Sequence, residues 1–307
     1  MTEIDVHDAW NTFWQRNQAR AGNGRGGCLP KGWQSIAEVQ ARVWRSFSRS
    51  LTKGARVLDL ATGDGAVLVQ LLKDRRDLKL VGVDRATALP KPPKGISLKG
   101  GIAMEDLPFS RDRFHAVTSQ FGLEYGNIPP TAEEIARVLK PGGKLGLITH
   151  RPKSPIVTHN RKRREQIKWA IEELELPKLA RKSIRLRDAG IAVVPPAIEE
   201  APAEGIAAHG EGSAAWEIAE AIRQTLHLGR NDEPQRVAEV ISDIEAQAEN
   251  ELGRIASLEK AAKVASDDDR MIGTLEKAGL ELREEAMLTD GRSPAPIADY
   301  RTYTLTH

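Results

Sequence analysis

The sequence predicts an α/β fold: a seven-stranded, mostly parallel sheet with helices on both faces. Five short apolar segments recur at intervals typical of alternating strands and helices, and two more follow near the end of the chain. Most of these segments are almost continuously apolar, as expected of strands that are covered on both faces. Helical patterns lie between some of them. The first strand runs into a glycine-rich turn and a helix, an arrangement that indicates a ligand site.

The seven predicted strands are short, and most of them are nearly continuous in apolar content. They cover residues 56–60, 79–84, 96–99, 114–119, 145–149, 281–287 and 301–306. The proline-rich link 88–95 predicts that no full helix joins the second strand to the third, whereas helices are predicted over 65–73, 131–139 and 267–278. Because the last two strands come late and in succession, we expect one antiparallel strand at an edge of the sheet.

The composition is that of a globular protein without disulfides. The chain has 307 residues, 40% of them hydrophobic and 29% charged, with a formal net charge of +2. Its one cysteine, Cys28, excludes an internal disulfide framework and a zinc site built from several cysteines, and we predict no metal centre. The acidic start of the chain lacks a secretory signal, and no apolar run is long enough to span a membrane. We therefore expect a cytoplasmic protein.

Two helices are predicted before the first strand, over 5–18 and 35–50. The first carries Trp10, Phe13 and Trp14 along one face. The glycine-rich segment 21–30 joins the two helices and indicates a hinge. We expect residues 1–52 to form a helical lid that closes over a bound ligand, although an aromatic stripe of this kind also suits plain core packing.

A long helical insertion, 151–266, is predicted between the fifth and sixth strands. Helical patterns cover 159–175, 214–226 and 239–262, and the proline-containing segment 193–205 is expected to be an irregular connector. In the last of these helices the apolar residues recur at helical spacing with partial heptad character. This stripe either packs against the other helices of the insertion or forms the seam of a homodimer.

Charge is distributed unevenly along the chain. Residues 140–187 are basic, whereas 232–290 are acidic. One interpretation is that these are helix faces that meet each other in the fold. The other is that the basic run binds an anionic substrate or RNA. Aromatic side chains that would stack on bases are sparse in the basic run, so nucleic acid is not the favoured ligand.

The segment 57–65, VLDLATGDG, is the most informative pattern in the chain. An apolar strand that carries Asp59 runs into a turn of small residues at Ala61, Gly63 and Gly65. Small residues let backbone N–H groups approach a ligand closely, and the helix that follows adds a positive partial charge. Dinucleotides and phosphates suit such a turn, and so does a tight strand–helix turn with no ligand.

Further segments extend this pattern into a family resemblance. They are LVGVD, ending at Asp84, MEDLPF at 104–109, FHAVTSQFGLEY at 114–125 and EIARVLKPGGKLGLITH at 134–150. With VLDLATGDG they resemble the class I S-adenosylmethionine-dependent methyltransferases, most closely the group that includes the ubiquinone and menaquinone biosynthesis enzymes. The resemblance implies a Rossmann-like sheet whose core, 53–150, is completed by residues 267–307. It also implies S-adenosylmethionine as the cofactor.

The resemblance implies how the ribose and amino acid parts of the cofactor are held. Asp84, at the end of the second strand, would accept the hydrogen bonds of both ribose hydroxyls. The turn 61–65 would lie against the amino acid part, with its N–H groups facing the carboxylate. Asp59 would either order that turn or reach the ammonium group through water.

The resemblance also implies the borders of the adenine and of the reacting methyl group. Ala103 and Met104 would lie along the adenine, and Gln120 and Phe121 would border the methionine portion. The complete set of cofactor residues implied is Asp59, Ala61, Gly63, Gly65, Asp84, Arg85, Ala103, Met104, Gln120 and Phe121.

Three positions depart from the family pattern. Ala61 stands where glycine is frequent, and Ala103 stands where an acid often holds the adenine amino group. His115 stands where an aspartate is common after the aromatic residue of the fourth strand. These departures predict an atypical cofactor site.

Methyl transfer from a sulfonium depends on alignment of the acceptor, and it needs a base only when the acceptor loses a proton. Candidate bases are His150, His159 and Tyr125. An acidic side chain would neutralise an amine acceptor, whereas arginines would hold an anionic one. The acceptor-binding candidates are Trp10, Trp14, Glu124, Arg151 and Arg161.

Three functional hypotheses follow. The first is a methyltransferase that acts on the oxygen, nitrogen or carbon atom of a small molecule, with the helical insertion as the acceptor cap. The second is methylation of RNA or protein by means of the basic region 160–187. The third is a non-catalytic scaffold or partner subunit with a methyltransferase fold, which the three departures favour.

Overall fold

The computed structural model describes residues 6–20, 33–187, 193–293 and 295–306. The predicted glycine hinge at 21–30 lies outside these ranges. The described residues divide into two compact units. One comprises 6–158 and 257–306 and contains the sheet, and the other is the helical segment 159–256.

The sheet has seven strands within the described ranges, in the order β3-β2-β1-β4-β5-β7-β6. The strands are β1 (Arg56–Leu60), β2 (Lys79–Val83), β3 (Ile96–Lys99), β4 (Phe114–Gln120), β5 (Leu139–His150), β6 (Leu280–Leu288) and β7 (Ala298–Leu305). All seven predicted strands are present, and the largest difference in their bounds is at β5. That strand begins at Leu139, which pairs with Phe114. The register then shifts, because residues 140–143 of β5 lie opposite the single residue 115 of β4.

The mostly parallel sheet is confirmed, but the antiparallel strand does not lie at an edge. β1, β2, β3, β4 and β5 pair in parallel. β7 runs antiparallel to both of its neighbours, β5 and β6. The edge strand is β6. A hairpin after β6 places β7 between β6 and β5. Sequence order alone could not distinguish these two placements, because both join the last strands by a short connection.

Helices cover both faces of the sheet, as predicted. The helices of the described ranges are α1 (Val6–Arg20), α2 (Gln34–Arg49), α3 (Ala66–Asp74), α4 (Ile128–Val138), α5 (Pro155–Lys168), α6 (Leu176–Leu186), α7 (Pro196–His209), α8 (Ala214–Leu228), α9 (Pro234–Ala265) and α10 (Asp268–Lys277). Successive residues of a strand point to opposite faces, so Val57 and Leu58 belong to two separate cores. Val57 packs with α2 and α3, whereas Leu58 packs with α4 and α10.

The helical unit has its own core. Ile184 of α6, Ile198 of α7, Ile222 of α8 and Ile241 of α9 are buried together. The predicted apolar stripe of α9 is buried within the chain along most of its length. This burial supports the interpretation that the stripe packs against neighbouring helices.

The segment 193–205 is not the irregular connector that its prolines predict. α7 begins at Pro196, where the missing N–H group of proline removes no helical hydrogen bond. Pro202 then lies inside the helix. Its ring is buried, so packing in the core offsets the hydrogen bond that proline cannot donate. Across the described residues, no helix combines the length and the apolar character that crossing a membrane would require.

Candidate functional site

The candidate site lies where the parallel strands β1, β2, β4 and β5 end. The carboxyl ends of parallel strands share one edge of a sheet, and ligands of open α/β sheets bind there. Four connections leave this edge: the glycine turn after β1, the loop after β2, the short helical turn Leu123–Tyr125 after β4, and the segment after β5. Most cofactor residues implied by the sequence lie on the first three of these connections or on the loop after β3, whereas Asp59 and Gln120 lie within β1 and β4.

The glycine turn after β1 is tightly wound. Ala61, Gly63 and Gly65 all have positive φ angles, of 51°, 52° and 75°. The N–H group of Gly65 donates to the carbonyl of Thr62 at 2.8 Å, and α3 begins immediately afterwards. Left-handed backbone is unfavourable for a side chain such as that of Ala61. The turn therefore carries a strained non-glycine residue at its start, a feature that often accompanies functional sites.

Asp59 forms hydrogen bonds at the base of this turn, where β1 ends. Its carboxylate is buried and accepts hydrogen bonds from the hydroxyls of Thr62 and Thr118, both at 2.7 Å. Burial raises the pKa of Asp59 to about 7, although the two hydroxyls oppose the increase. These contacts agree with the structural alternative for Asp59, in which it orders the turn.

Asp84 connects the ends of β1 and β2. One carboxylate oxygen accepts the N–H group of Gly63 at 2.8 Å, and the other accepts that of Ala86 at 2.9 Å. Burial raises the pKa of Asp84, and these backbone hydrogen bonds lower it. Each carboxylate oxygen can accept more than one hydrogen bond, so both retain capacity for further donors. The neighbouring Arg85 is exposed.

Helix α1 reaches three of the connections at this edge. The indole of Trp14 lies directly on Gly63, where a built Cβ would be only 2.9 Å from the ring atom Cη2. Asn11 accepts the N–H group of Thr87, after β2, at 2.8 Å. The Trp10 ring meets the Tyr125 ring edge to face, with centroids 5.9 Å apart. Both predicted lid tryptophans therefore lie beside predicted site residues.

The loop after β3 supplies Ala103 and Met104, which are both partly exposed. The Met104 side chain approaches Gly126, whose built Cβ would be 3.0 Å from the sulfur. Glu105 accepts the N–H group of Asn127 at 2.8 Å. That contact ties this loop to the turn after β4.

The end of β4 positions Gln120 and Phe121. The indole N–H group of Trp44 donates to Oε1 of Gln120 at 2.7 Å, and this bond fixes the amide. Phe121 adopts a positive φ of 52°. Its ring stacks on the imidazole of His150, with centroids 4.2 Å apart and ring planes 12° from parallel.

His150 ends β5 beside Tyr125 and Glu124. Its Nε2 atom is 3.4 Å from the hydroxyl oxygen of Tyr125, and its backbone N–H group donates to Oε1 of Glu124 at 2.9 Å. Burial lowers the pKa of His150 to about 3, so its imidazole is neutral at physiological pH. Burial raises the pKa of Glu124 to about 7. These three predicted residues thus form one polar cluster, in which Glu124 and His150 are buried and Tyr125 is partly exposed.

The remaining predicted residues are Arg151, which directly follows β5, and His159 and Arg161 on α5. Arg151 forms an ion pair with Asp299 of β7. His159 and Arg161 are on α5, in the helical unit. Burial and the nearby cation Arg163 lower the pKa of His159.

Thr62, Thr118 and Asn11 were not predicted as site residues. A threonine three residues after Asp59 is a local pattern that could have identified the hydroxyl partner, since short polar side chains often bond across a turn. Thr118 and Asn11 are distant in the sequence. Only the pairing of β1 with β4 and the placement of α1 bring them to the site.

Comparison with known proteins matches residues 57–143 to the methyltransferase domain family. A demethylmenaquinone methyltransferase of Mycobacterium tuberculosis is 40% identical over 115 residues, which are 34% of this chain and 47% of that protein. A 2-phytyl-1,4-naphtoquinone methyltransferase of Synechococcus elongatus is 31% identical over 131 residues, which are 38% of this chain and 56% of that protein. The chain thus spans about half the length of the curated relatives it matches.

Among solved structures, a Haloferax volcanii protein in complex with the Trm112 methyltransferase activator aligns over 98% of both chains, with 15% identity and a TM-score of 0.47. The match over 57–143 contains the glycine turn, Asp84 and the end of β4. This similarity supports a class I S-adenosylmethionine-dependent methyltransferase domain over residues 57–143.

Proposed function

We propose that this protein binds S-adenosylmethionine at the edge formed by β1, β2 and β4 and transfers its methyl group to a small-molecule acceptor. The observation that carries the proposal is the bond between Asp84 and the N–H group of Gly63. It brings a carboxylate suited to ribose hydroxyls next to a glycine turn suited to close approach of a ligand. The family match covers both residues.

The residues present fit this cofactor. Asp84 would hold the ribose, the turn 61–65 would lie along the amino acid part, and Met104 would lie along the adenine. The sulfonium carries a good leaving group, so the chain's residues need to orient the acceptor and exclude water. Trp14 suits the second task, because it is buried against Gly63.

The polar cluster after β4 and β5 would face the acceptor. Because burial lowers the pKa of His150 to about 3, this histidine offers a neutral hydrogen-bonding group. Tyr125 lies next to its Nε2 atom and can exchange a hydrogen bond with either the ring or an acceptor. Aromatic rings of Trp10 and Phe121 border the two side chains, so the surroundings suit an acceptor with an apolar body.

A small molecule is the acceptor class that we favour. The names of the curated relatives assign quinone-type acceptors to those proteins, but the matches extend over 38% or less of this chain. They therefore support the cofactor more strongly than any particular acceptor. The basic run gives less support to RNA or protein as the acceptor, because two of its arginines pair with acidic residues of the chain. Arg163 pairs with Glu251, and Arg181 pairs with Glu245.

Titration of S-adenosylhomocysteine in a calorimeter tests the proposal and separates it from a non-catalytic scaffold. The wild type should bind one equivalent, and Asp84→Ala should bind about tenfold or more weakly, since a carboxylate that accepts two hydrogen bonds is lost. The matched control is Glu133→Ala, because Glu133 is an exposed acid on α4, and its affinity should equal that of the wild type. Absence of binding by the wild type would overturn the proposal.

A further inference from the structure

Glu124 is a buried acid, and only one of its two carboxylate oxygens accepts a hydrogen bond from another described residue. The side chain is 2% exposed. Its Oε1 atom accepts the N–H group of His150 at 2.9 Å, whereas Oε2 is buried and receives no hydrogen bond from the described residues. A buried carboxylate oxygen without a partner is costly, so this atom indicates a missing donor or cation.

The backbone geometry places Glu124 beside the methionine end of the proposed cofactor site. Two residues before it, Gly122 packs on the glycine turn: a built Cβ would lie 2.6 Å from the Cβ of Ala61 and 3.2 Å from the carbonyl oxygen of Leu60. On the other side, Glu124 is fixed to the last residue of β5. Glu124 therefore lies near the contact between the end of β4 and the turn that would bind the methionine part.

Among the described residues, no ion pair neutralises this carboxylate. The titratable and charged side chains on β1, β4, β5, α4 and its own turn are Arg56 and Asp59, His115, Lys140, Lys144 and His150, Glu133, Glu134 and Arg137, and Tyr125. Arg56 is exposed at the start of β1, at the opposite end of the strand from the glycine turn. The other cations have partners: Arg137 binds Glu134, Lys140 approaches His115, and Lys144 donates to the carbonyl of Ser50. Arg151, which follows β5, pairs with Asp299.

We propose that the Glu124 carboxylate is the countercharge of the sulfonium and makes the site prefer S-adenosylmethionine over S-adenosylhomocysteine. The inference rests on the proposed function and adds a specificity-determining residue to it. The two ligands differ in charge at sulfur, because methyl transfer leaves a neutral thioether. In a buried site such a charge acts with little screening. Loss of the sulfonium charge would then lower the affinity for the product, S-adenosylhomocysteine, and favour its release.

The pH dependence of the two affinities is a direct consequence. Burial raises the pKa of Glu124 to about 7, so ionisation of the carboxylate increases between about pH 6 and about pH 8. Only the ionised form attracts the sulfonium. The preference for S-adenosylmethionine should therefore increase across this range by up to about tenfold, which is the change in the ionised fraction.

Calorimetric titration with both ligands across this pH range tests the inference. The wild type should show the rising preference, and Glu124→Gln should remove it, because the amide keeps the shape but not the charge. Glu134→Gln is the matched control. Glu134 also accepts a backbone N–H group, from Leu107 at 2.7 Å, but Arg137 lowers its pKa away from this range, so the wild-type trend should persist.

A second measurement needs no variant. Titrations of the wild type with S-adenosylmethionine, in two buffers of different ionisation enthalpy near pH 7, should show proton release, since binding would favour the ionised carboxylate. S-adenosylhomocysteine should release fewer protons. A ligand preference that does not change with pH, or equal proton release by both ligands, would overturn the inference and leave the proposed function intact. If neither ligand binds, both are overturned.

Discussion

The indole of Trp14 rests on the backbone of Gly63, in the turn that would cradle the methionine part of the cofactor. Trp14 is 5% exposed, and a Cβ on Gly63 would overlap its ring. Gly63 is also left-handed, with φ 52°. This position therefore has two separate reasons to be glycine, and a matched pair of variants can separate them.

Gly63→Ala should destabilise the protein by more than the left-handed backbone alone requires. That backbone costs a residue with a side chain about 1–2 kcal/mol, and the overlap with Trp14 adds to it. Gly142→Ala is the control, because Gly142 has φ 72° and no atom within 4 Å of a built Cβ. Urea denaturation of both variants measures the difference. Equal losses of unfolding free energy would contradict the contact with Trp14.

Asp59→Asn should change the pH dependence of stability. Burial raises the folded-state pKa of Asp59 to about 7, above its value of about 4 in an unfolded chain. The folded protein therefore holds a proton that the unfolded chain has already lost. This contribution to stability is complete below about pH 4, and it is lost as the pH rises to about 7.

The asparagine variant cannot ionise at this position, so its stability relative to the wild type should improve with increasing pH. The expected change is at most about 4 kcal/mol between about pH 4 and about pH 8. Urea unfolding of both proteins at several pH values measures it. The titration of His150 is common to both proteins and cancels in the difference. A constant difference between the two proteins would show that Asp59 does not titrate in this range.

In the helical unit, Arg163→Glu should destabilise the protein, and a second substitution should restore part of the lost stability. Arg163 donates to Glu251 at 2.6 Å and to Glu217 at 3.2 Å, so the substitution would bring together three carboxylates. We expect a loss of about 1–3 kcal/mol of unfolding free energy, with partial recovery on adding Glu251→Arg. Thermal denaturation of the single and double variants checks this expectation. Lys162→Glu, at an exposed position of α5, should cost little, and an equal cost at both positions would argue against the ion pair.

The central strands β1 and β4 and the second half of β5 could be predicted closely, because their burial on both faces leaves nearly continuous apolar runs. The bounds of β1 and β3 agree with the prediction residue for residue, and Asp84 could be located at the end of β2. The position of β7 could not be predicted, since a hairpin after β6 permits either order. α7 was missed because its prolines indicate a break, whereas their positions at the helix start and in the core are compatible with a helix.

The polar contacts of the site depend on tertiary structure, and few could be predicted. Asp59 was a candidate for either ordering the turn or binding the cofactor. Its contact with Thr118 depends on strand pairing that the sequence does not specify. Glu124 could be named as an acid near the acceptor, but its burial and its unpaired oxygen become visible only when β4 and β5 are placed side by side.

A crystal structure of the protein with S-adenosylhomocysteine bound would locate the cofactor site. We expect the ribose hydroxyls on the carboxylate of Asp84, the amino acid part along the turn 61–65, and the sulfur on the side of Phe121 and Glu124. The same structure would show whether Trp14 stays on Gly63 or moves to admit the ligand. Binding elsewhere on the protein, or with the ribose away from Asp84, would overturn the proposed cofactor site.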